Sequence, residues 1–225
     1  MHDYINNLKK NTPIDDELYF RSLQNNTMTF DAFKESQTNF YGAVCYFSRP
    51  LFALCSRIDN YVDRLNILEN IIDEHGNGNI NVAHGNTYKE YLINLGVSEK
   101  TIEKSSNHIS VSNFYSKIDQ TVKEDNIDTA IAMFGIIEDR YTEISSFIAK
   151  TVVRKNWLDE SKLSHYSTHK ELDIHHAELF YKLIEQKWSN NQSMQYIKTG
   201  LNLGNELVMK LFNEILIKTS NANSL

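Results

Sequence analysis

Only two prolines and eight glycines interrupt these 225 residues, so little in the chain forces frequent turns. Two cysteines cannot build the dense disulfide framework of a small secreted domain, and both Cys45 and Cys55 have apolar neighbours, which reads as reduced core thiols. No apolar run approaches the roughly 20 residues that span a bilayer. The N-terminus, "MHDYINNLKKNTPIDDE", lacks the apolar centre of a secretory signal, which makes the cytoplasm the expected compartment. Basic residues are not in excess either. The net charge is −6 with both signs mixed along the chain, so neither nucleic acid nor an anionic membrane is offered a partner surface.

What the chain does have is helical periodicity almost throughout. Thr12-Pro13 reads as a cap and first-turn proline opening a short helix to about Leu23. Helices are expected at about 29–47, from Pro50 to Arg57, and at 60–74. "HGNGNINVA" is a loop, and His84 opens a helix that Gly96 ends, with Ser98 capping a short turn. Further helices fit 110–124, 127–153, 167–188 and 192–218. With 41% apolar and 23% charged residues and no repeat or linker, this is one all-α domain over residues 1–225. Its folded core is expected at 12–218, with 1–11 and 219–225 as tails.

The segment "HKELDIHHAELF" concentrates three histidines and three acids in twelve positions. At about 100° per residue, His169, Asp173 and His176 fall within an arc of about 60°, while His175 points away. The same face continues into Leu179, Phe180, Leu183 and Ile184, a core-facing stripe. Charge on such a stripe is costly unless paired or bound to metal. The same oddity recurs at Glu74, after Ile67 and Ile71, and at His84, ahead of Tyr88, Tyr91 and Leu92. Glu138 lies between Phe134 and Tyr141 in the same way.

Each of these has a plainer reading. HxxxDxxH also suits a salt-bridged helix face, Glu138 a core acid bonded to Arg140 or a tyrosine, and Glu74 a helix-terminal charge. His165 shares the arc of His169 one turn earlier and is a rival ligand. His75 reads as loop-exposed, and His2 and His108 as incidental. Taken together, three carboxylates and three imidazoles with no paired cysteines favour Fe(II) or Mn(II), and six donors suit two metals. Helical proteins build di-iron carboxylate sites from such inward-facing side chains. Tyr41, Tyr46, Tyr88, Tyr91, Tyr141 and Phe134 are candidates to wall a substrate pocket, and Arg57 or Arg140 to pair with a substrate carboxylate.

In order along the chain, "NILENIIDEHGNGNINVAH", "GIIEDRY" and "HKELDIHH" resemble the haem-oxygenase-like di-iron oxidases, and "FYGAVCYFSRPLFALCSRI" resembles that family's aromatic helix. The resemblance covers roughly residues 12–215. It implies a compact bundle of seven to eight helices, often a homodimer, with metal ligands Glu74, His84, Glu138, His169, Asp173 and His176. Glu138 and Tyr141 are the candidate catalytic residues. The implied reaction has two ferrous ions reduce dioxygen to a bridging peroxide, whose oxidant attacks a small amino-acid-like, amine or carboxylate metabolite. An external electron donor is compatible with it, and the setting would be biosynthesis. Some relatives add a carboxylate from the first long aromatic helix, but 40–50 holds no acid. Phe20 stands near the place where one relative sacrifices a tyrosine, so that self-consuming reaction is not implied. Two other functions share the pattern: a metal-free enzyme of the thiaminase (TENA) or pyrroloquinoline-quinone-forming type, and a helical interaction module with structural histidines.

Overall fold

A computed structural model of the chain describes residues 1–105 and 108–216, without the side chains of 167–173. These residues form eleven α-helices and no strand. Seven are long: α3 (Phe30–Tyr46), α5 (Tyr61–Glu74), α6 (His84–Asn94), α8 (Ile109–Glu124), α9 (Ile127–Arg154), α10 (His165–Ile184) and α11 (Asn191–Leu216). The other four have ten residues or fewer: α1 (His2–Asn11), α2 (Leu18–Gln24), α4 (Ser48–Ser56) and α7 (Glu99–Lys104). The long helices alone match the expected seven to eight, and the short ones raise the count.

Local chemistry sets the helix starts. The side chains of Thr29, Asn60, Ser98 and Asn126 accept hydrogen bonds from the first-turn amides of α3, α5, α7 and α9. The expected tail at 1–11 is instead α1. Tyr4, Ile5 and Leu8 make it amphipathic; Ile5 is buried, and Lys9 pairs with Asp139 and Glu143 of α9. Residues 219–225, the other expected tail, lie outside the described residues. Cys55 is buried as expected, but Cys45 is exposed, because its turn of α3 faces outward beside α8.

α9 forms the centre of the bundle and packs against α10 on one side and α11 on the other. Two glycines let α11 approach closely. A Cβ at Gly200 would stand 2.1 Å from the Thr129 carbonyl oxygen, and one at Gly204 would stand 2.5 Å from that of Met133. Gly200→Ala is therefore expected to destabilise the fold by about 2–3 kcal/mol, the overpacking cost outweighing alanine's helix preference of about 1 kcal/mol. Urea denaturation checks this, and a variant as stable as the parent would contradict the close α9–α11 contact.

Candidate metal centre

Glu74 is the last residue of α5 and His84 the first of α6, and the loop between them folds back on itself. Its pivot is Gly76, at φ +63°, where a Cβ would meet the Ala83 nitrogen at 2.5 Å. Only glycine fits there. The fold-back places Glu74 Oε1 2.8 Å from His84 Nδ1, both side chains nearly inaccessible to water. Glu74 is thus no solvated helix-end charge.

Glu138 sits midway along α9 and is 4% exposed. Its Oε1 accepts a 2.8 Å hydrogen bond from Asn70 Nδ2, one turn before Glu74 on α5. Asn70 was not singled out from the sequence, although a fully buried amide between Ile67 and Ile71 is the same anomaly as the acids. Arg140, the alternative partner for Glu138, bonds instead to Glu143 and to the Thr12 carbonyl. Arg57 is spent on the carbonyls of Val122 and Asp125. Neither arginine lines the cavity described below, so the expected substrate-carboxylate role falls away for both.

On α10, His175 is exposed and pairs with Glu69, as its position on the helical wheel requires. His176 is 0% exposed. Its Nε2 lies 3.0 Å from Asp73 Oδ2, and its Nδ1 is buried with no hydrogen-bond partner among the described residues. Burial works against ionisation of Asp73, but the hydrogen bonds from His176 and Asn77 outweigh it and hold the carboxyl below its ordinary range. Asp73 follows Asn70 and Glu69 at helical spacing, so no apolar stripe marks it in the sequence as one marks Glu74. His169 and Asp173 lie outside the described residues.

His165, the rival ligand, is 1% exposed. Its Nε2 is 3.1 Å from the Tyr141 hydroxyl, its Nδ1 3.3 Å from Thr87 Oγ1, and its ring 5.9 Å edge-on from that of His84. Thr87 lies one turn beyond His84 on α6, which is how that helix supplies two polar groups to one place.

Glu74, His84, Glu138, Tyr141 and His165 all line one cavity. These polar residues come from α5, α6, α9 and α10. The rest of the lining is Phe40, Ala43 and Val44 of α3, Phe47 between α3 and α4, Phe114 and Tyr115 of α8, Ile137 of α9, and Val208 and Leu211 of α11. No lysine or arginine is among the described lining residues. Of the aromatic residues expected to wall a pocket, Tyr141 does; Tyr88, Tyr91 and Phe134 are packed in the core, and Tyr41 and Tyr46 do not line this cavity.

The donors fit iron on two counts. A histidine whose one ring nitrogen is held by a carboxylate presents the other as a lone pair, the usual support for a metal-bound imidazole; His176 has that form. The donor set is carboxylate and imidazole without thiolate, which suits Fe(II) or Mn(II). Among the described residues, however, no group of three or more such side chains is set to hold a metal ion. What they provide is a Glu74–His84 pair, Glu138 on the same cavity wall, and the His176–Asp73 pair.

The fold and this lining define a haem-oxygenase-like helical protein with buried carboxylates and imidazoles around an interior cavity. Residues 34–204 match the iron-containing redox enzyme family, and the chain belongs to it. No curated protein matches the chain. Among solved structures, a TenA homologue from Pseudomonas syringae pv. tomato str. DC3000 has the same fold at TM-score 0.66 and 16% identity, over 91% of this chain and 86% of that one. A TenA family transcription regulator from Silicibacter sp. TM1040 gives 0.63 and 13%, over 88% of each chain. At those identities the likeness is one of fold. No described helix is long and apolar enough to cross a membrane.

Proposed function

We propose that this chain is a non-haem di-iron oxidase or oxygenase that uses dioxygen on a small amino-acid-like, amine or carboxylate metabolite. The observation that carries the reading is the buried Nδ1 of His176, which has no partner among the described residues, on a ring oriented by Asp73. Glu74, His84, Glu138, His169, Asp173 and His176 would hold the metals. Bound there, iron supplies the electrons and Lewis acidity that dioxygen chemistry requires. The chain's own part is to orient donors and exclude water. Asp73 fixes the His176 ring and Asn70 fixes the Glu138 carboxylate. Tyr141, bonded to His165 on the cavity wall, places an O–H where a proton can be held beside the substrate. The apolar lining keeps bulk water from the reacting groups. A cytoplasmic homodimer, with an external electron donor where the reaction needs one, completes the reading.

The protein reconstituted with Fe(II) under anaerobic conditions is expected to bind about two iron ions per chain and to consume dioxygen on exposure to air. Iron analysis and an oxygen electrode measure both, and a chain that binds no iron would remove the proposal. The second reading, a metal-free enzyme, is supported by the scaffold shared with the TenA structures. Neither cysteine lines the cavity, and burial pushes the Cys55 thiol up, away from a reactive thiolate. Substrate turnover that survives complete removal of metal would favour it.

A further inference from the structure

One turn of α8, carrying Phe114 and Tyr115, lines the interior cavity. Two outer grooves flank that turn, one against α3 and one against α11. Tyr115 lines both the cavity and the α3–α8 groove, whereas Phe114 and Leu211 line both the cavity and the α8–α11 groove. The two walls differ in what holds them. Tyr115 donates its hydroxyl to the Ala43 carbonyl and packs 4.2 Å from the ring of Tyr46, itself hydrogen-bonded to Asp119. Moving Tyr115 aside leaves a buried carbonyl unsatisfied, which is the costly kind of loss. Phe114 and Leu211 have no polar atom to strand, and their displacement gives up only dispersion contacts, which an apolar guest restores.

We infer that Phe114 and Leu211 form the passage through which uncharged apolar molecules reach the cavity, along the α8–α11 groove, with Tyr115 as a fixed post. Phe114 then selects by size and polarity: its ring must be replaced by a surface equally apolar. The inference rests on the cavity being the reaction chamber, as proposed above, but its test does not involve the metal.

Exchange of fluorobenzene into the full chain as purified can be followed by 19F NMR, with binding expected and Val44→Phe, which fills the chamber from α3, expected to abolish it. Leu207→Trp obstructs the α8–α11 groove from its outer side and should slow exchange about fivefold or more, while Ser112→Trp in the α3–α8 groove should change it by less than about twofold. Phe114→Ala should accelerate exchange. Slowing by Ser112→Trp in place of Leu207→Trp, equal rates in both, or no binding of fluorobenzene to the parent would each overturn the inference. Iron content, measured separately, judges the metal reading alone.

Discussion

Replacing His176 by alanine is expected to yield a folded chain that retains less than about a tenth of the parent's iron, because a ligand loss should exceed the 10- to 100-fold cost typical of a lost supporting residue. The argument starts from burial. An imidazole at 0% exposure, with one nitrogen on a carboxylate and the other without a partner among the described residues, can direct a lone pair to a metal. If the ring served packing alone, removing it would lower stability by about 1–3 kcal/mol and leave metal content as it was. The two roles therefore separate in one pair of measurements, thermal melting and iron per chain. His176→Gln fills more of the site and guards against collapse of the alanine variant. Asp73→Asn adds a graded case: it still accepts from Nε2 but makes the imidazole a weaker base, with an expected loss of about 10-fold in iron affinity. Parent-like iron in both His176 variants would sink the assignment.

Glu138→Gln should leave the fold intact and reduce dioxygen consumption by about 100-fold or more, a barrier increase of about 3 kcal/mol. Glutamine is the same size, and its Oε1 can keep the 2.8 Å hydrogen bond from Asn70. What it cannot do is present the second carboxylate oxygen, which becomes an NH2 donor. Arg140 bonds to Glu143 and to the Thr12 carbonyl, so the exchange breaks no ion pair with that arginine. A melting temperature within a few degrees of the parent, about 1 kcal/mol in a chain this long, is the expected companion result. Full turnover in this variant would place Glu138 outside the reaction.

Both predictions name residues that stood out before any coordinates, and the reason is specific. An ionisable group on an apolar helical stripe is visible in one dimension because helix phase is local. That is how Glu74, His84, Glu138 and His176 were picked out and His175 set aside. The groups that complete them were not visible in the same way. Asp73 sits beside the conspicuous Glu74, Asn70 carries no charge, and Thr87 looks like any helical threonine; each acquires meaning only from a partner far along the chain. Arg140 shows the reverse error, since nearness in sequence suggested Glu138 while the fold sends its guanidinium to Thr12 and Glu143.

Thr12-Pro13 opens only a single 3₁₀ turn at Ile14–Asp16, with α2 following at Leu18, but the succession of most helices and the faces they bury was written in the amino-acid order, because propensity and 3.6-residue phase act within a few residues. So was the family resemblance, which the match over residues 34–204 bears out. The tertiary structure alone decided that α1 docks on α9 rather than fraying, that Cys45 faces out, and that His165 joins the cavity wall. It alone decided where the cavity lies and which side chains line it. Those outcomes depend on how whole helices meet, and contacts between residues a hundred positions apart leave no local periodicity to read.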